Sequence, residues 1–137
     1  MDQHLKESLI SSELVYDGKL LKVRKDLVRL PDGGESTREY FRHPGAVVII
    51  PLLDDGRVLL ERQYRYPNDQ VFIELPAGKL EYGEDPLLCA QRELREETGY
   101  TASDWQFVCT IHNAIAYSDE HLEIFLAKGL KPGEQQL

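Results

Sequence analysis

The sequence predicts an α/β domain preceded by a small antiparallel sheet, and three observations predict it. The first third of the chain reads as short strands separated by glycine-containing turns. Ala46 to Leu53 is a continuous apolar run of the kind a buried strand shows. Asp85 to Thr98 carries apolar residues at helical spacing between a good start and a good stop. A chain of 137 residues is long enough for one compact domain with a real core. Within it, residues 1–43 read as an N-terminal strand subdomain and residues 44–137 as the main body.

The elements follow in order. Glu13 to Tyr16 and Lys19 to Leu30 read as a hairpin across Asp17-Gly18, and Pro31-Asp32-Gly33-Gly34 turns the chain into a third strand, Thr37 to Arg42. A small sheet of this kind has edges to cover, and packing on a second copy would cover them. Ala46 to Leu53 then begins the core sheet as a strand buried on both faces, and Asp54-Asp55-Gly56 leads into Val58-Leu59-Leu60. Val71 to Leu75 is a short strand stopped by Pro76, followed by a loop from Gly78 to Gly83. In the helix Pro86 suits the first turn and Gly99 the C-terminal end, with Leu87, Cys89 or Ala90, and Leu94 as its apolar face. Trp105 to Ile111 and Leu122 to Ala127 are the last two strands expected.

Composition excludes several functions. Lys and Arg total 16 against 24 Asp and Glu, a formal charge of −8, which opposes binding along a nucleic-acid backbone. A divalent cation could still bridge such carboxylates to a phosphate ligand. Cys89 and Cys109 have neither paired spacing nor a nearby histidine, so neither a disulfide framework nor a zinc site is expected, and the reading is a reducing cytoplasm. The first residues lack a basic start followed by an apolar run, and no apolar stretch approaches bilayer-spanning length, so neither secretion nor membrane insertion is expected.

The chemistry is concentrated on the helix. Glu93 and Glu97 stand one turn apart and Glu96 lies between them in angle, so three carboxylates leave one sector. Like charges this close repel, and solvent, counterions or a bound divalent cation relieve them. All-oxygen donors suit Mg²⁺, with Mn²⁺ the alternative. On its own an Arg-Glu-x-x-Glu-Glu string is more often a solvated helix face. The wider spacing alters that reading. Gly78 is followed after five residues by Glu84, after seven more by Arg92-Glu93-Leu94, and after one more by Glu96-Glu97-Thr98-Gly99. This resembles the Nudix box, G-x5-E-x7-R-E-U-x-E-E-x-G-U with U bulky and apolar. Tyr100 is the one departure, an aromatic in an aliphatic place.

The resemblance implies a Nudix-type α/β/α sandwich around a mixed sheet, and a hydrolase that cleaves a pyrophosphate bond. It implies Glu93 and Glu97 as direct Mg²⁺ ligands, Glu96 as a ligand or near-ligand, the Ala77 backbone carbonyl as a further ligand, and Glu84 and Arg92 as supports. A guanidinium can hold a carboxylate through two hydrogen bonds and fix its orientation, as a ligand's support must. Outside the box, Arg38-Glu39, His43-Pro44-Gly45-Ala46, Glu61 to Tyr66, Glu74 to Glu81 and Tyr117 to Glu120 are similar to the ADP-ribose pyrophosphatase branch. That implies a homodimer with exchanged N-terminal strands, Arg38 and Glu39 as base-side contacts and Arg65 as a phosphate contact. The substrate implied is a nucleoside-diphosphate sugar, with ADP-ribose giving AMP and ribose 5-phosphate. The alternatives are another sugar nucleotide such as a GDP-sugar, or a non-catalytic nucleotide-binding domain. ADP-ribose hydrolysing members usually carry a proline where Ile115 and Ala116 stand here. In that branch the glutamate proposed to activate water lies on a loop beyond the last strand, followed by another strand and a helix. The chain ends before that region, so Glu120, Glu123 and Glu134 are not assigned as the base, and His112 and His121 read as structural.

Overall fold

The computed structural model describes residues 1–136 and divides the chain into two compact units. The first comprises Met1–His43 with Ala114–Glu120. The second comprises residues 44–113 and the chain from His121 onward.

In the first unit β1 (Ser8–Asp17), β2 (Lys22–Arg29) and β3 (Glu35–Phe41) form an antiparallel sheet in that order. β1 begins five residues before the expected Glu13. Every residue of it is exposed, so it has no buried face to impose the alternation by which a strand is recognised. Its turn is also longer than the expected Asp17-Gly18: the Gly18 N–H donates to the Leu21 carbonyl at 2.8 Å. The next turn is where expected, with the Gly33 N–H on the Leu30 carbonyl at 3.0 Å and Gly33 at φ +90°, a conformation that favours glycine. Ala114–Glu120 joins this unit through the Phe41 N–H, which donates to the Tyr117 carbonyl at 2.8 Å. Asp119 accepts from the His43 N–H at 2.8 Å.

The second unit is a four-stranded mixed sheet, a two-stranded hairpin and one α-helix among the described residues. β4 (Ala46–Pro51) is flanked by β7 (Ala77–Lys79), antiparallel, and by β9 (His121–Lys131), parallel, and β8 (Thr101–His112) pairs antiparallel with β9. β5 (Glu61–Arg65) and β6 (Gln70–Glu74) form the hairpin. Three expectations are corrected here. Val58 to Leu60 is not a strand: Val58 makes a single bridge to Leu52, and pairing proper starts at Glu61. β4 is fully buried only at Val47, Ile49 and Pro51, so it alternates and is not buried alike on both faces. The loop after Pro76 opens with the three-residue strand β7, too short to leave a periodic signal.

Helix α1 (Pro86–Thr98) matches its expected bounds because both ends are chemically marked. The Asp85 carboxylate accepts from the Leu88 N–H at 3.1 Å, Pro86 opens the first turn, and Gly99 at φ +80° closes the last. Its buried residues are Cys89, Ala90 and Leu94, which pack with Val47, Ile49, Leu80, Phe125 and Ala127. Tyr100 packs against this core from its edge, so the aromatic does fill an apolar place. No described helix is long and apolar enough to cross a membrane. Leu94 has no exposed surface. Leu94→Ala is expected to cost about 3 kcal/mol, lost transfer energy plus cavity, read as a lower midpoint in urea unfolding at unchanged slope.

Candidate metal and active site

Four elements of the second unit bring together the acidic side chains that matter. α1 supplies Arg92, Glu93, Glu96 and Glu97; the loop before it supplies Glu84; β7 supplies Ala77 and Gly78; and the hairpin supplies Glu61, Arg65 and Glu74. Because α1 packs against β7, side chains from one helical face lie over the short strand. The Glu97 carboxylate accepts from the Ala77 N–H at 3.3 Å. Glu93 lies over Gly78, so closely that a Cβ built there would stand 2.6 Å from Glu93 Oε1 and nearer still to Cγ and Cδ. The missing side chain at Gly78 is therefore space that Glu93 occupies, and its spacing to the helix is steric in origin.

Arg92 is the hub of this cluster. Its guanidinium donates to Glu84 Oε1 and, at 3.4 Å, to Glu93 Oε1, while Nε lies 3.9 Å from Glu96 Oε1. Glu84 is also held by the Glu81 N–H at 2.9 Å, and that backbone hydrogen bond, then Arg92, keeps its carboxyl below the usual range. Glu84 is thus held from two sides, and Arg92 links it to Glu93. Glu96 meets Arg92, whereas Glu93 and Glu97 lie against β7. Burial pushes the Glu93 carboxyl above its ordinary value, with Arg92 opposing and Glu96 and Glu84 adding to the rise. Glu97 is pushed up well beyond the glutamate range by burial, then by the Glu61 carboxyl within hydrogen-bonding reach and by the charge of Glu93.

The hairpin carries the cationic part. Arg65 grips Glu74 with Nε to Oε2 at 2.8 Å and a terminal nitrogen to Oε1 at 2.6 Å, a planar two-point pair. The pairing lowers the Glu74 carboxyl and raises Arg65, which also feels the charges of Glu61 and Glu97. Arg38 and Glu39 belong to β3 in the N-terminal unit. There Arg38 pairs with Glu7 at 2.7 Å and reaches Ser36 Oγ at 3.1 Å, and Glu39 stands opposite Lys25. His112 and His121 face each other at the ends of β8 and β9, beside a Thr110-to-Glu123 hydrogen bond of 2.7 Å.

Sequence reasoning passed over Glu61 and Glu74. Once β5 is known to span Glu61–Arg65, period two places Glu61 on the same face as Arg65.

Among the described residues no three His, Cys, Asp or Glu side chains are already arranged as a metal cage. The donor set nevertheless fits a hard divalent cation. Its donors are all oxygen, and Glu93 and Glu97 are held partly buried near like charge, an arrangement whose repulsion a cation relieves.

Fold and site define an α/β domain with a glutamate-rich loop–helix of hydrolase type, and the chain belongs to the Nudix family: residues 42–136 match the NUDIX domain. Residues 7–41 match the nucleoside diphosphate sugar hydrolase N-terminal domain. The chain is 39% identical to the methanol dehydrogenase activator of Bacillus methanolicus, over 98% of this chain and 72% of the relative. It is also 39% identical to the ADP-ribose pyrophosphatase of Bacillus subtilis strain 168, over 96% of this chain and 71% of the relative. A crystal structure of an ADP compounds hydrolase superimposes with a TM-score of 0.86 at 26% identity, covering 96% of this chain and 72% of that one.

Proposed function

We propose that this chain hydrolyses the pyrophosphate bond of a nucleoside-diphosphate sugar, with ADP-ribose giving AMP and ribose 5-phosphate. The observation that carries the chemistry is the placement of Glu93 and Glu97 against Ala77-Gly78 with Arg92 bracing the helix side. The substrate class follows from the N-terminal domain match and from the Bacillus subtilis relative named ADP-ribose pyrophosphatase.

In this reading Glu93, Glu97 and the Ala77 carbonyl hold Mg²⁺, or Mn²⁺ in its place, with Glu96 a near-ligand. The cation, when bound, neutralises pyrophosphate charge and makes water a better nucleophile. Arg92 and Glu84 keep the carboxylates in place through their hydrogen bonds. Arg65, aimed by Glu74, contacts a phosphate of the substrate. Arg38 and Glu39 contact the base, contributed by the partner's copy in a homodimer. The apolar side chains that β1 exposes, among them Leu9, Leu14 and Tyr16, support such pairing, because a bare sheet edge gains by being covered. Residues 1–43 act as the exchange subdomain and 44–137 as the catalytic domain. Two cysteines without a disulfide suit the reducing cytoplasm.

The test is a substrate panel in Mg²⁺, with ADP-ribose, other ADP-sugars and GDP-sugars, and chromatographic identification of the released nucleotide. AMP from ADP-ribose at the highest kcat/KM is the expected result. Preferential GMP release from a GDP-sugar would overturn the substrate, a reading that Ile115-Ala116 in place of a proline would then explain. Saturable binding of ADP-ribose without product would overturn catalysis.

A further inference from the structure

A second face of α1 carries side chains that the catalytic reading does not use. Leu88, Gln91 and Arg95 follow one another at three and four residues, so they leave the helix together. Glu93 stands about 200° around the axis from Gln91, which puts this face on the other side of the helix from the carboxylates over β7. Between these residues and the start of β8 lies a groove of about 360 Å³, walled on the strand side by Thr101, Ala102 and Trp105. That volume falls within the range of small-ligand sites, about 300 to 1,000 Å³.

Three kinds of group meet in the groove. Trp105 gives an aromatic wall that is held in place: its indole N–H donates to the Ala102 carbonyl at 3.1 Å, and its ring meets Phe125 edge-on. Arg95 is exposed, and among the described residues its guanidinium has no hydrogen-bond or ion-pair partner, so it is open to an anion from solution. Arg92 lines the groove too, but it already donates to Glu84 and Glu93. Lys131 stands opposite Thr101 in the β8–β9 register and adds a further cation on that face. Gln91 brings an amide that both donates and accepts.

We propose that this groove binds a nucleoside monophosphate, with the base against Trp105 and the phosphate on Arg95. A planar base lies on an indole face, and a guanidinium pairs with phosphate through two parallel hydrogen bonds. Gln91 can meet the donors and acceptors on the edge of a base. An acidic peptide would use the cations and leave the indole idle, and an apolar ligand would do the reverse. The groove needs no metal ion and does not rest on the catalytic reading.

Trp105 is the one tryptophan of the chain, so its fluorescence reports occupancy of the groove directly. The experiment is titration with AMP in EDTA, exciting the indole where adenine does not absorb, with adenosine and inorganic phosphate as part-ligands. Saturable quenching by AMP, at lower concentration than by adenosine, is the expected result, with phosphate competing against AMP. Arg95→Gln is expected to bind AMP about tenfold more weakly at an unchanged melting temperature, since it loses a charged hydrogen-bond donor and no partner within the fold. Arg65→Gln, which alters the phosphate contact proposed on the hairpin, is expected to leave the quenching as it is. No saturable quenching, or equal affinity for AMP in wild type and Arg95→Gln, overturns the proposal. Quenching lost in Arg65→Gln and kept in Arg95→Gln overturns it as well, by moving AMP to the hairpin.

Discussion

Glu97→Gln is expected to lower kcat by about a thousandfold, roughly 4 kcal/mol of transition-state stabilisation, while leaving the fold intact. Glutamine keeps the shape and still offers an oxygen to the Ala77 N–H, so β7 remains seated on the helix. What is lost is the negative charge proposed to hold a cation. The measurement is AMP release from ADP-ribose in saturating Mg²⁺, beside a circular dichroism spectrum. Hydrolysis at the wild-type rate would sink the assignment of Glu97. A second readout needs no activity. In the metal-free protein burial, then Glu61, raises the Glu97 carboxyl above its unfolded value. A raised folded-state pKa means the stabilisation is complete below the unfolded pKa and is lost as pH rises through the folded one. In EDTA the wild type should therefore lose melting temperature from pH 5 to pH 9 more steeply than Glu97→Gln, which cannot ionise there. Equal slopes would show that Glu97 does not carry this strain.

The parts of the fold that could be read in advance are those where local chemistry and burial agree. Helix α1 has a capping aspartate, a proline in its first turn, a glycine at its end and an apolar stripe at Cys89, Ala90 and Leu94, so every level of the sequence points to the same element. β1 shows the converse: its ten residues are exposed and nothing in their pattern marks the start at Ser8. β7 is three residues long and exists because Ala77 and Gly78 pair with Val48 and Val47, a contact no local window contains. The site divides along the same line. Glu84, Arg92, Glu93 and Glu97 are joined by spacing along one loop and helix, which sequence carries directly. The placement of Glu61 opposite Glu74, and of Glu74 beside Arg65, depends on the register of a hairpin, which is an outcome of folding.

Gly78→Ala is the second large effect expected, and its interest lies in separating stability from activity. Gly78 does not have the positive φ that only glycine tolerates, so its need for glycine is steric. An added methyl meets the Glu93 side chain, with Cδ at 2.2 Å and Cγ at 2.3 Å, so Glu93 must leave its present rotamer to clear it. The expected loss of stability is thus small, about 1 kcal/mol. Activity has no such latitude. The displaced carboxylate is the one proposed to hold the cation, and a shift of about 1 Å in a positioned group can cost a hundredfold in rate. Gly78→Ala should therefore reduce kcat by about a hundredfold in a protein that melts near the wild-type temperature. If the methyl acts through Glu93, the double variant Gly78→Ala with Glu93→Gln should be no slower than Glu93→Gln alone, because the second change removes the group the first displaces. Multiplying losses would place the harm of the methyl elsewhere, in the pairing of Gly78 with Val47, and full activity in Gly78→Ala would show that Glu93 does not need its present position.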